Sequence, residues 1–342
     1  MGRLDEARVS YSQAIALKLD FPEAFNNMGI TLQEQARLDE AESSYGHAIK
    51  LKPDYADAHY NLGNTLRELG RLDEAEVSYN QAIALKPDYA EAHAGLLSCL
   101  YFLDKKLLLS DKLDDSINHG ITNAVVGSLT CRSALRYGIE KPNLFCEEPL
   151  KYVLHVDLNT RYNFGEVFVK NARSILDGNR VSNRQQALLV NGNQTFGNLF
   201  DIEDPLTQKI QNAIRSEVGK YLTHFKNSKE GLIKKWPTEY NLYGWLISMK
   251  SGGKLKPHIH KNGWISGSIY INVPPKSTAN SGNLVVSLGE EGDLTDRRII
   301  EEEIIDIVTG SLVLFPASLT HYTIPFKAEE ERIVLAFDVM AG

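Results

Sequence analysis

The side chains best placed to do chemistry lie in the C-terminal third of the 342-residue chain. Pro257-His258-Ile259-His260 brings two imidazoles together, His321 supplies a third, and Arg332 follows it by eleven residues. Neutral imidazole nitrogens hold divalent transition metals, and a guanidinium fork matches a carboxylate. Singly, each histidine reads as a polar side chain of a sheet. Their order, with the arginine behind them, points instead to a site. A second string, His155-Val156-Asp157, has the spacing of an iron-binding pair, but no downstream strand pair supports it and it is set aside.

The elements that must position these residues are strands. From Tyr240 onward the sequence runs in short apolar segments separated by turn signals, the pattern of a β-sandwich or jelly roll. Gly252-Gly253 predicts a turn just before the His-x-His pair, and Phe315-Pro316 a tight turn before His321. In Ile265–Val273 one face carries Ser266, Ser268, Tyr270 and Asn272, and the other Ile265, Gly267, Ile269 and Ile271. In Arg332–Val339, Arg332, Val334, Ala336 and Asp338 share one face, and Ile333, Leu335, Phe337 and Val339 the other. Because side chains alternate across a strand, each strand has a wet and a greasy side. The greasy sides suit a helix predicted over Pro205–Phe225, where Leu206, Ile210, Ile214, Val218 and Leu222 recur every four residues. The acidic stretch Glu290–Asp306 reads as a solvated loop and strand.

This arrangement resembles the double-stranded β-helix oxygenases that use iron(II) and 2-oxoglutarate. The stretch His258–Pro274, with Ser266-Gly267 and Tyr270, followed by Phe315-Pro316, His321 and Glu331-Arg332, is similar to a bacterial and phage subfamily of them. The resemblance covers about residues 150–342, with its specific motifs between 245 and 338. It implies a hydroxylase in which His258, His260 and His321 hold the iron. It further implies that Arg332 pairs with the far carboxylate of 2-oxoglutarate, that Tyr270 adds a second hydrogen bond to it, and that O2 is the oxidant. One departure stands out. No Asp or Glu occurs between Glu239 and Glu290, so His260 stands where the superfamily carries its carboxylate ligand, and either three imidazoles or two with a water must serve.

The N-terminal third is periodic. Arg-Leu-Asp-Glu-Ala ends at Ala7, Ala41 and Ala75, and each copy is followed by a tyrosine (Tyr11, Tyr45, Tyr79) and an alanine (Ala14, Ala48, Ala82). Pro53 and Pro87 close the later copies. A 34-residue period with these residues resembles the tetratricopeptide repeat, a helix pair that stacks on its neighbours into a solenoid. Residues 22–53 and 56–87 form two complete repeats, 3–18 a lone second helix, and about Ala90–Leu103 a further first helix after which the pattern dissolves. The chain thus opens in mid-repeat, as a truncated arm would. His59 and His93 read as packing residues. Asn27 and Asn61, one period apart, match the position at which some repeats of this type grip the backbone of an extended peptide.

The expected architecture is multidomain: an all-α solenoid (1–104), a helical linker (105–149) and an α+β double-stranded β-helix or jelly-roll domain (150–342). A net charge of -7 argues against nucleic acid as a partner. Cys99, Cys131 and Cys146 have no CxxC spacing, which fits a reducing compartment, and there is neither a membrane-length apolar run nor a signal peptide. The expectation is a cytoplasmic protein whose arm binds a protein or peptide. Two alternatives stand beside the oxygenase: a cupin-like three-His metalloenzyme without 2-oxoglutarate, and a non-catalytic repeat adaptor.

Overall fold

The computed structural model describes residues 2–18, 20–177, 183–184, 186–293 and 300–342. They divide into two compact units, 1–122 and 123–342. The division falls inside the segment read from sequence as a linker.

The first unit is helical: α1 (Gly2–Leu17), α2 (Pro22–Glu34), α3 (Leu38–Leu51), α4 (Ala56–Glu68), α5 (Leu72–Leu85), α6 (Ala90–Phe102) and α7 (Lys106–Asn118). The period appears as packing. Ala41, Ala48, Ala75 and Ala82 are fully buried, and so are Tyr45 and Tyr79. Tyr79 lies so close to α4 and α6 that a Cβ on Gly63 or Gly95 would meet its ring at 2.8 or 2.6 Å. Glycine at those points is what lets the tyrosine fill the gap between helices. The sequence pattern dissolves after Leu103, but the helical stacking does not. Helix α7 follows α6, and buried His93 bridges them through Ser116 Oγ, 3.0 Å from its Nδ1. His59, by contrast, is half-exposed, with its Nε2 3.0 Å from the Pro53 carbonyl.

The second unit opens with α8 (Ala124–Tyr137), capped by the Asn123 side chain on Val126 N and ended by left-handed Gly138. It continues through α9 (Lys170–Asp177), α10 (Pro205–His224) and the short α11 (Gly231–Lys234). Asp204 caps α10 and Pro205 starts it, so the predicted helix has both start signals. Its strands are β1 (Leu154–Asp157), β2 (Asn183–Arg184), β3 (Leu189–Thr195), β4 (Tyr240–Leu255), β5 (Ile265–Asn272), β6 (Leu284–Ser287), β7 (Glu302–Ile305), β8 (Ser311–Pro316), β9 (Thr320–Thr323) and β10 (Arg332–Ala341). Seven make one antiparallel sheet in the order β1-β8-β5-β10-β4-β3-β2, and three make another, β7-β6-β9. Of the acidic stretch Glu290–Asp306, residues 294–299 lie outside those described. Its Asp293 is not solvated, being buried against Arg132 in a two-pronged ion pair at 2.8 and 3.0 Å.

The large sheet is a divider. Ile265, Ile269, Ile271, Leu335, Phe337 and Val339 pack with Ile210, Ile214 and Val218 of α10 in one core. Burying each such aliphatic side chain is worth about 1.5–3 kcal/mol. Tyr270, Val334 and Ala336 face the other way, into a second core shared with Leu284 and Val286 of the small sheet. The alternation read from sequence thus assigns the faces. Gly267 lets Phe337 lie flat: an added Cβ would meet its ring at 2.2 Å. Gly252-Gly253 departs from expectation. It lies within β4, where Gly252 takes φ +78 and its N–H donates to Phe326 O, so the pair distorts a continuing strand instead of ending one.

Candidate metal centre

The three histidines converge although they sit on different elements. His258 and His260 lie in the loop that leaves β4, and His321 lies on β9 of the small sheet. Backbone pairing closes the loop onto that strand: His258 N–H donates to His321 O at 3.2 Å and His321 N–H to His258 O at 2.9 Å. One potential ligand nitrogen from each of the three lies within 4.8 Å of the others.

Hydrogen bonds at the outer ring nitrogens orient the set. His258 Nδ1 donates to Lys256 O at 2.8 Å, and His260 Nδ1 to Asp338 Oδ1 at 2.6 Å. These partners leave both Nε2 atoms as lone-pair acceptors, facing each other at 3.2 Å. Two such lone pairs repel unless a cation lies among them. Burial pushes the His258 imidazole down to about 4, helped by neighbouring His260, and holds His321 well below its ordinary value. Both rings are therefore neutral at neutral pH, the form that binds metal. Phe315 packs on His321 at 4.8 Å and Trp245 on His260 at 5.4 Å between ring centres, which restricts both imidazoles.

The histidines border a cavity of about 590 Å³ between the two sheets. Arg332 and Tyr270 line it as well, both fully buried. The guanidinium lies 5.0 Å from the Tyr270 ring centre, and Nη1 donates to the Gly282 carbonyl. Among the described residues its Nε and Nη2 donors have no hydrogen-bond partner within ordinary distance, although the Tyr270 hydroxyl stands near enough to act on the guanidinium. A buried cation with two orphaned donors is costly, and a carboxylate is the group that would satisfy both. Burial lowers the arginine from its usual value and raises the Tyr270 phenol. An iron(II) with a dicarboxylate cosubstrate fits these residues: neutral imidazoles for the metal, free guanidinium donors for the distal carboxylate.

The set-aside His155-x-Asp157 pair lies elsewhere. His155 meets Ser311 Oγ at 3.0 Å, while Asp157 accepts from Asn159 N. In the first unit Asn27 and Asn61 occupy successive first helices, and Asn61 Nδ2 donates to Asn26 Oδ1 at 3.0 Å. The residue that sequence reading passed over is Asp338, which backs His260 from β10. Its signal was available: it shares the wet face with Arg332, six residues away.

Residues 243–338 match the family described as "Putative 2OG-Fe(II) oxygenase", and residues 1–36, 33–66 and 56–89 match tetratricopeptide repeats. The chain therefore joins tetratricopeptide repeats to a domain of that oxygenase family. Solved structures similar to it include MamA (19% identity, 40% of this chain and 81% of that one, TM-score 0.37). PilF of Pseudomonas aeruginosa is also similar (22% identity, 38% of this chain and 59% of that one, TM-score 0.34). No curated protein matches the chain. Among the described residues no helix is long and apolar enough to cross a membrane.

Proposed function

We propose that the second unit is a 2-oxoglutarate- and iron(II)-dependent oxygenase that hydroxylates a C–H bond, on a double-stranded β-helix made by its two sheets. The observation that carries this is the pairing, in one cavity, of three converging imidazoles with a buried guanidinium two of whose donors lack a hydrogen-bond partner among the described residues. Iron(II) with 2-oxoglutarate and O2 supplies the oxidising chemistry, in which the cosubstrate loses CO2 to become succinate while one oxygen atom enters the substrate. The chain's own residues do the rest. His258, His260 and His321 would hold the metal, the first two through Nε2. Arg332 takes the far carboxylate of the cosubstrate in a two-pronged pair, and the Tyr270 hydroxyl donates beside it. Phe315, Trp245, Leu284 and Val334 give the cavity apolar walls that limit water.

The substrate we propose is a protein or peptide gripped by the repeat arm, with Asn27 and Asn61 contacting its backbone. Tethering a weak peptide-binding module to a catalytic domain raises the local concentration of substrate. Succinate release from 2-oxoglutarate with iron(II) and ascorbate tests the activity, and its absence refutes it. A three-His metalloenzyme that uses no 2-oxoglutarate is favoured by one observation, the lack of a carboxylate among the three converging side chains. That reading predicts metal binding without succinate.

A further inference from the structure

Asp338 sits where a missing charge would be needed. The residue is buried, 8% exposed, between β5 and β4, in register with Ser266 and Tyr243. Oδ1 accepts from His260 Nδ1 at 2.6 Å and from Ser266 Oγ at 2.8 Å, and Ser266 Oγ also lies 3.0 Å from His260 Nδ1. The loop closes tightly over it. A Cβ on Gly263 would stand 3.1 Å from Oδ1 and 3.0 Å from Ala317. A buried carboxylate is expensive without charged or donor partners, and here those partners are the outer edge of one imidazole and the hydroxyl that clamps it.

Three neutral imidazoles leave the charge of a divalent ion uncompensated, whereas a His-x-acid site cancels part of it by direct ligation. No acidic residue lies between Glu239 and Glu290 to do that. Resting on the proposed metal site, we infer that Asp338 supplies the compensating charge from behind. It acts as a positioning residue that fixes His260 with Nδ1–H outward and Nε2 inward, and makes that nitrogen a stronger donor. His260, Asp338 and Ser266 then work as one composite ligand in place of the carboxylate. Asp338 and Arg332 lie on one face of one strand, so β10 sets both the charge at the metal and the anchor for the cosubstrate. Carboxylates behind metal-bound imidazoles change metal affinity about 10–100-fold when removed.

The test is an anaerobic titration of cobalt(II), a spectroscopic stand-in for iron(II), into full-length protein. Asp338→Asn and Asp338→Ala should weaken binding about 10–100-fold and shift the cobalt absorption bands, and Ser266→Ala should weaken it less. In a His260→Ala background Asp338→Asn should change affinity less than about twofold, because its effect passes through that imidazole. The near-isosteric Asn variant keeps the test alive if the Ala variant does not fold. An equal penalty in both backgrounds, or unchanged affinity and bands in Asp338→Asn, overturns the inference while leaving the metal site standing. If wild type binds no cobalt at a site removed by His258→Ala or His321→Ala, the proposed function falls and this inference with it.

Discussion

The two units of this chain spend their residues differently. In the arm, every important contact lies within one repeat or the next: Tyr79 fits against Gly63 and Gly95, and Asn61 reaches Asn26. In the second unit the partners are remote. His260 meets Asp338, 78 residues on, and Arg332 bonds Gly282, 50 residues back. A repeat needs only its neighbours, so its lesions stay local and structural. A site assembled across two sheets has residues whose loss carries its own chemical consequence.

The largest expected contrast sets Tyr79→Ala against His258→Ala or His321→Ala. The tyrosine change should cost about 3–5 kcal/mol of arm stability through the cavity it leaves, with iron content unchanged. The histidine changes should abolish iron binding and succinate release with little loss of helical signal. Iron analysis beside thermal melting reads both, and loss of iron in Tyr79→Ala would erase the distinction.

Arg332→Met should raise the Kd for 2-oxoglutarate at least a hundredfold, in line with about 3–5 kcal/mol for breaking a buried charged pair. Without cosubstrate the same variant should melt no earlier than wild type, since it removes a buried cation with two donors unpartnered among the described residues. Isothermal titration and melting give the two numbers. Earlier melting with unchanged affinity would make Arg332 structural.

Acid should separate the units more gently. Burial depresses the folded His258 and His321, while the unfolded chain takes up their protons near 6.5. The unfolded state therefore binds more protons below that pH, and metal-free stability should be complete above about 6.5 and decline toward 4. His93 in the arm, also depressed by burial, contributes in the same direction. Replacing His258 and His321 together by Gln should flatten the melting profile between pH 4 and 6.5 more than His93→Gln does.

The smallest effect belongs to the proposed peptide grip. Asn27→Ala with Asn61→Ala should slow turnover of a peptide substrate severalfold at low concentration and leave 2-oxoglutarate affinity unchanged. Unchanged peptide kinetics would confine the arm to another role.

Much of this protein is legible along its length. The 34-residue period names the solenoid because each helix pair repeats the same steric solution, small residues opposite a large ring. Alternation in Ile265–Val273 and Arg332–Val339 sorts wet faces from greasy ones because a strand's side chains have period two. What only the tertiary structure decided lies where contacts skip the chain. The loop after β4 pairs with β9, which turns His-x-His and a distant histidine into one cluster. Gly252-Gly253 stays in its strand because β4 continues its pairing with β3 beyond the distortion. Helix α7 continues the stacking without the motif, since burial of Leu109 and Leu113 needs apolar residues in place but no particular signature. Asp338 reads on paper as one more polar residue on a strand. Only the approach of β5 and the His260 loop, which buries the carboxylate 2.6 Å from an imidazole nitrogen, makes it part of the site.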